Sequence, residues 1–537
     1  MTDKAKKRSS IIPGNDLDRA RLITLAGMVV FAVLLGWQSD DSYHGYVMVK
    51  HLIEGNGFVY NIGERACATT SPLYTLSVAI PYFFTREMFF TSMLLDVLYT
   101  AIAYYLFAYK MCRSRSQVIY GFLALIGSKA FLSYTTSGLE NSLLFLLSAL
   151  FLYQYFSHER FDKKRLLLLA LTFSLIALSR MDLVLMFIPM IVYVFLLKRQ
   201  EASFGSAVGI TFLGLSPFIL WEIFSVLYFG FPFPNTAYVK IGTGISDIEY
   251  LKHGFLYYFY TVINDPVVLL IPFVFIIITI LLKKCRYLMT SLGIILYGIY
   301  ILRIGGDFMM GRHFTVMLFV SVLSFTMIQN LEEPAVLRRS KPFFEAAVLF
   351  SVIASFTLGT TIGSQYLYGH KYSSSISDER ENYSNTTGFY NNIVSFVKTG
   401  RLCVEDTWNN QATDELRGMG VPGGIIENAA GILVYYNSDL YLNDTYCLGD
   451  PLLSKLPAVY DPNWRVGHLR RRIPEGYDES IYQTKNLIED PDLHEFYDKI
   501  LIITRGKLFD PERIRTVITM NLGKYDYLVD NYEKRQK

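Results

Sequence analysis

Charge is scarce in these 537 residues: lysine, arginine, aspartate and glutamate make up 18%, against 52% hydrophobic residues. That balance is too apolar for an ordinary soluble chain of this length and points to the membrane class. The formal net charge is only +3, and with no basic block in the chain a nucleic-acid surface is excluded. The five cysteines, Cys67, Cys112, Cys285, Cys403 and Cys447, form no C-x-x-C pair, which argues against a zinc site. Cys403 and Cys447 share the polar tail, where spacing alone leaves a disulfide open. No small-x-small cleavage site follows the first apolar run, so that run reads as a retained helix and not as a signal peptide. Internal repeats and low-complexity tracts are also missing.

What the chain has is apolar runs. The first covers 22–37, behind Lys4, Lys6, Lys7, Arg8, Arg19 and Arg21, and this basic flank predicts a cytoplasmic N-terminus. Ten more cover 89–109, 117–134, 139–156, 166–179, 182–197, 207–229, 266–282, 287–302, 314–329 and 343–363. A further run at 73–84 reaches only about 18 Å as a helix, short of a hydrocarbon core of about 30 Å, and reads as a helix lying in the outer leaflet. The basic clusters test that reading. They are Lys110, Arg113 and Arg115; Arg160, Lys163, Lys164 and Arg165; Lys198 and Arg199; Lys283, Lys284 and Arg286; and Arg338, Arg339 and Lys341. All fall on the cytoplasmic side if 73–84 does not cross, and all fall outside if it does. About eleven spans follow, with 39–88, 135–141, 230–265, 303–313 and the tail outside.

The tail is polar, with the turns Pro422-Gly423-Gly424 and Leu448-Gly449-Asp450-Pro451 and short β-like runs at 432–436 and 500–504. The expected architecture is an α-helical polytopic membrane protein over 1–363, joined to a C-terminal extracytoplasmic α/β domain over 364–537.

The outer segments collect the charges. Asp40 and Asp41 leave the first span together, and 43–52 then reads as a polar-aromatic helix ended by the turn at 54–57. Carboxylates at a bilayer boundary are costly unless they face a polar cavity. Glu140 lies at the next outer mouth, Arg180 and Asp182 in a tight connection, Asn235 and Lys240 in the large loop, and Asp307, Arg312 and His313 in the last one. Plainer readings exist: Arg180 with Asp182 as an interfacial ion pair, Gly305-Gly306 as a turn, His313 as a structural residue. Jointly, however, a carboxylate able to deprotonate a hydroxyl stands among cations able to hold a phosphate, and oxygen ligands suit a divalent metal.

These residues fall in a familiar order. Asp40-Asp41-Ser42-Tyr43, Gly55-x-Gly57-Phe58-Val59-Tyr60-Asn61-x-Gly63-Glu64-Arg65 and Thr70-Ser71-Pro72-Leu73 resemble the first outer loop of GT-C membrane glycosyltransferases. The family resembled is that of the mycobacterial terminal arabinofuranosyltransferase, which uses a polyprenyl-phosphate sugar. Ser137-Gly138-Leu139-Glu140, Ser179-Arg180-Met181-Asp182, Pro232-Phe233-Pro234-Asn235-Thr236, Gly305-Gly306-Asp307-Phe308-Met309 with Gly311-Arg312, and the tail's Trp464-Arg465-Val466-Gly467-His468 and Ile473-Pro474-Glu475-Gly476-Tyr477 follow in order. Met181-Asp182 departs from the usual Pro-Glu, and Cys447 stands where a glycine is common, which leaves the donor sugar and the acceptor side open.

The resemblance implies a GT-C fold in a bacterial cytoplasmic membrane, with site and tail facing the periplasm or exterior. It implies an inverting transfer of a sugar, arabinofuranose first, from a polyprenyl-phosphate donor to an extracytoplasmic glycan or glycolipid. Asp40 is favoured as the base with Asp41 as helper. Arg312, Lys240 and Arg180 are expected at the donor phosphate, and Glu140, Asp307, Asn235 and His313 at substrate or metal. Trp464, His468 and Tyr477 are expected at the acceptor, with a possible Mg or Mn ion on Asp41 and Glu140. The competing class, a transporter or flippase with an external domain, would place its charges near mid-bilayer or in inverted repeats.

Overall fold

The computed structural model describes residues 15–198, 203–361, 375–406, 411–427 and 430–536. The basic flank residues Lys4, Lys6, Lys7 and Arg8, Arg199, and the expected domain boundary at 363/364 lie outside them. The chain is predominantly helical. α1 (Asp16–Leu34) starts where the Asn15 side chain accepts from the Asp18 amide at 2.7 Å, a standard N-cap. α2 (Asp40–Glu54) ends at Gly55, whose φ of 87° only glycine adopts without strain, and it contains the polar-aromatic helix expected from the sequence. α3 (Pro72–Thr85) has 14 residues and is too short to cross.

α4 (Phe89–Tyr105) runs on through a π-helical turn, and α5 (Arg115–Ile126), opened by a Ser114–Gln117 capping box, leads to the short α6 (Lys129–Ser133). Then follow α7 (Asn141–Ser157), α8 (Lys163–Ser179), α9 (Val184–Tyr193), α10 (Phe204–Tyr228), α11 (Asn235–Tyr238), α12 (Asp247–Asn264), α13 (Val267–Leu282), α14 (Cys285–Arg303), α15 (Phe314–Leu331), α16 (Pro334–Leu337) and α17 (Ser340–Thr361). The expected apolar runs fall on these helices, but 117–134 is broken at Gly127-Ser128 between α5 and α6.

Among the described residues, four helices are long and apolar enough to cross a membrane: the α4 run Phe89–Met111, α10, α14 and α15. A fifth is added if α12 and α13, bent by 103°, form one broken span. Asp265 sits at that bend, and its carboxylate accepts from the Ser128 hydroxyl at 2.6 Å and the Ala130 amide at 2.8 Å.

The tail departs from the expected strand pattern. Among the described residues its sheet is two parallel strands, β1 (Gly423–Ile426) and β2 (Tyr441–Asp444), with Gly423 opposite Tyr441. Both β-like runs are helical: 432–436 lies in Gly431–Tyr436, and 500–504 closes Pro491–Arg505. In the second, Leu493, Phe496, Tyr497, Ile500, Ile503 and Thr504 are buried at helical spacing, a period longer than the five-residue window that suggested a strand. Cys403 and Cys447 are not joined by a disulfide.

The buried core does not stop at the bundle. It runs from α2, α7 and α15 into Ile432, Val434 and Leu442 of the tail. A second cluster joins Tyr477, Leu493 and Ile500 to Phe231 and Val239 of the large loop. The tail therefore shares hydrophobic packing with the helices that carry the outer loops, and this fixes its residues against the mouth of the bundle.

Candidate functional site

α2 begins with the acidic pair as its first two residues, where the helix dipole favours negative charge. The two side chains diverge. Asp40 is 2% exposed and turns to the tail: its oxygens accept from the Gly431 amide at 3.1 Å and the Ile432 amide at 2.8 Å. A Cβ on Gly431 would stand 2.2 Å from the Asp40 carbonyl, so the approach requires glycine. Burial pushes the Asp40 carboxyl up to about 6, against the Ile432 amide, which pulls it down. Asp41 is half-buried and faces a cavity. Burial raises its pKa too, opposed by His468 and then Arg312.

Behind that cavity the outer loops close a ring of charges. Glu140 accepts from Arg180 at 2.8 Å and from Arg312 at 3.0 Å. Arg180 also grips Asp182 with two donors, at 2.9 and 3.3 Å, and reaches His313 at 3.1 Å. His313 stands 3.4 Å from Asp307, which lies 4.0 Å from Arg312. Burial alone would raise Glu140, but Arg312 and then Arg180 outweigh it and hold the carboxyl below its ordinary value. Asp307 is likewise held far down, against burial, by its hydrogen bond from His313 and by Arg312.

The cavity has a volume of about 120 Å³. Of the residues singled out in the sequence, Asp41, Glu140, Lys240, Arg312 and His468 line it. Lys240 is exposed and makes no ion pair among the described residues. Arg312 lines the cavity while its buried Nε has no hydrogen-bond partner. His468 packs edge-on against Phe308 and Tyr446, and burial, then Arg465, pushes its pKa down to about 4.

The other candidate residues singled out in the sequence lie off this cavity. Tyr477 is fully buried in the tail core and donates to Asp450 at 2.7 Å, so no acceptor reaches it. Trp464 lies against Tyr250 and His253 and lines a separate cavity of about 570 Å³. Arg180 does not line the first cavity, and its donors are taken by Glu140, Asp182 and His313. Its pairing with Asp182 is the plain ion pair the sequence also allowed. Asp307 and His313 belong to the ring behind the wall, with His313 also hydrogen-bonded to Tyr297. Asn235 is buried beside it, its amide N–H bonded to the Cys67 carbonyl, while Thr236 takes the lining position.

The expected cation pair of Asp41 with Glu140 is not the best donor set, because Glu140 is already held by two arginines. Asp40, Asp41 and His44 bring one ligand atom each within 4.8 Å of one another. His44 is 3% exposed; its Nδ1 lies 3.0 Å from the Tyr60 hydroxyl, and its Nε2 has no partner. Two carboxylates with one imidazole suit manganese better than magnesium, which prefers oxygen alone.

Several residues escaped the sequence reading. Asp96, inside the apolar run of α4, accepts from Ser142 at 2.5 Å and from the Gly138 amide at 3.1 Å, and so holds the Glu140 loop. A lone acid in a spanning run was the available signal. Glu379 in the tail pairs with Arg465 at 3.0 Å, and Ser377 bridges to Phe308 and Met310 through backbone hydrogen bonds, so the tail props the 305–312 loop. His44, four residues after Asp40, carried no motif of its own. Compared with known protein families and with curated proteins, the chain matches none.

Proposed function

We propose that this chain is an inverting, GT-C-type membrane glycosyltransferase that moves a sugar from a polyprenyl-phosphate donor to a hydroxyl of an extracytoplasmic glycan or glycolipid, with arabinofuranose the sugar favoured by the motif order. The reading includes eleven crossings of a bacterial cytoplasmic membrane, with cavity and tail outside. One observation carries it: a carboxylate with a raised pKa, Asp41, shares a cavity at the mouth of the bundle with Arg312 and Lys240. A base and a pair of cations are what this displacement needs on its two sides.

In the reaction Asp41 takes the proton of the acceptor hydroxyl. The acceptor oxygen forms a bond to the anomeric carbon as the bond from that carbon to the phosphate oxygen breaks, with inversion. Arg312 and Lys240 hold the departing prenyl phosphate by charge-assisted hydrogen bonds. Two contacts support Asp41 over Asp40 as the base: both Asp40 oxygens accept from backbone amides of the tail, which suits Asp40 to seating the tail against α2. Asp41, His44 and Asp40 are the residues that would hold a divalent cation, which would supply positive charge to the cavity.

The test is transfer from polyprenyl-phospho-arabinose to an arabinan acceptor by the purified chain. Asp41→Asn is expected to lose about 10²–10⁴-fold in rate, the contribution of a positioned base. Full activity in a folded Asp41→Asn protein overturns the assignment.

A further inference from the structure

The helix Phe389–Thr399 in the tail is built the wrong way round for water. Its fully buried residue is Asn392, whose side-chain amide donates to the carbonyls of Thr386 and Gly388 at 2.9 Å and whose oxygen accepts from the Val404 amide at 3.1 Å. The outward face carries Tyr390, Ile393, Phe396 and Val397, with Phe396 52% and Val397 78% exposed. Their spacing puts them on one side of a helix. A helix packed on an aqueous domain shows the opposite arrangement.

Its position explains the inversion. The Phe389 amide donates to the Gly36 carbonyl at 2.8 Å, just past the end of α1, and the Phe90 ring, at the start of α4, meets Phe389 and Phe396 with centroids 5.9 and 6.5 Å apart. The outward faces of α1 and α4 are apolar and exposed at Val30, Leu34, Leu94 and Leu98. Tyr390, Ile393, Phe396 and Val397 continue that surface around the helix ends, and Lys398 stands exposed at the helix C-terminus.

We infer that this helix lies in the interfacial layer of the bilayer, with its apolar face in lipid and Lys398 among anionic headgroups, as amphipathic surface helices do. The inference stands on the fold and not on the transferase reading. Its consequence is positional. Thr387, one turn before, exchanges hydrogen bonds with both backbone groups of Gln38, at 2.6 and 3.3 Å. The lipid-seated helix is therefore tied to the segment that delivers Asp40 and Asp41, and it sets their height above the acyl chains.

Spin labelling tests this. In the full chain with Cys285→Ser and Cys403→Ser, a nitroxide is attached after Val397→Cys, with Leu98→Cys as a lipid-facing reference and Lys524→Cys as an aqueous one. The proteins are placed in nanodiscs of phosphatidylcholine with a minority of phosphatidylglycerol. The expected result is oxygen collision well above that of a nickel chelate at residue 397, as at residue 98. Nickel accessibility equal to that at residue 524 overturns the inference. Shielding from both reagents, which would mark a protein partner, overturns it too. Tyr390→Cys on the same face repeats the measurement if the first variant does not fold.

Discussion

Replacing Asp40 by asparagine separates the two neighbouring carboxylates by what they do. The asparagine oxygen can accept one of the two amides, from Gly431 or Ile432, while its NH2 group meets the other. A buried donor left unpaired costs about 1–3 kcal/mol. Against that stands the pKa of the native carboxyl, about 6 in place of 3.8, chiefly through burial. A carboxyl that holds its proton more tightly in the folded chain adds stability below its unfolded value and loses it as pH rises through about 6. Ionised at pH 7.5, it opposes folding by about 3 kcal/mol; at about pH 4.5 the opposition is about 1 kcal/mol. Asparagine carries no such dependence, and groups common to both proteins cancel in the comparison. The Asp40→Asn protein should therefore melt below the parent near pH 4.5, and level with it or above near pH 7.5, a swing of about 2 kcal/mol. Thermal unfolding of both proteins at the two pH values, read alongside transfer activity, measures it. A gap that stays constant across pH refutes the reasoning. Loss of transfer in a normally melting Asp40→Asn protein, with Asp41→Asn active, would make Asp40 the base instead.

Lys240→Ala should leave the melting temperature unchanged, since the side chain is exposed and unpaired among the described residues, and should raise KM for the polyprenyl-phosphate donor about tenfold, the loss of one charge-assisted contact. Arg180→Gln strips Asp182 of its partner and Glu140 of one of two, and should cost about 3–5 kcal/mol, read as a large fall in melting temperature and folded yield. Gly138→Ala places a Cβ 2.5 Å from the Tyr46 hydroxyl and 2.7 Å from that of Ser42 at a φ of 74°, so destabilisation above about 1 kcal/mol and disturbed activity are expected; an unaffected protein would mean the loop yields. In the pH profile of kcat/KM the acid limb should fall at a pH above the ordinary aspartate value, because burial raises Asp41 and only its ionised form accepts the proton.

What could be read in the chain, and what could not, divides along one physical line. Glu140, Arg180, Asp182, Asp307 and Arg312 stood out because each is a charge at the end of an apolar run, where the cost of desolvation makes accident rare. The structure brings all five into one ring. Who pairs with whom had no local signal. Adjacent residues on a helix point about 100° apart, so Asp40 and Asp41 meet different partners even with their oxygens close together, and one of them meets the tail. Which one is decided by Gly431, 391 positions later, whose missing side chain lets a tail helix end reach Asp40. Asp96 was hidden for the converse reason: its run was read for its lipid-facing majority, and the single acid inside it is satisfied by a serine and an amide from a loop 42 residues on. The 500–504 segment misled because four consecutive apolar residues and a threonine have no period, whereas the fifteen-residue helix around them does. In a chain this apolar, the places where charge must be accommodated are local facts, and the partners that accommodate it are tertiary ones. Asp40 and Asp41 are the same residue side by side, and no local feature of the sequence tells their roles apart, so the division of labour between them has to be sought in what the tail does to α2.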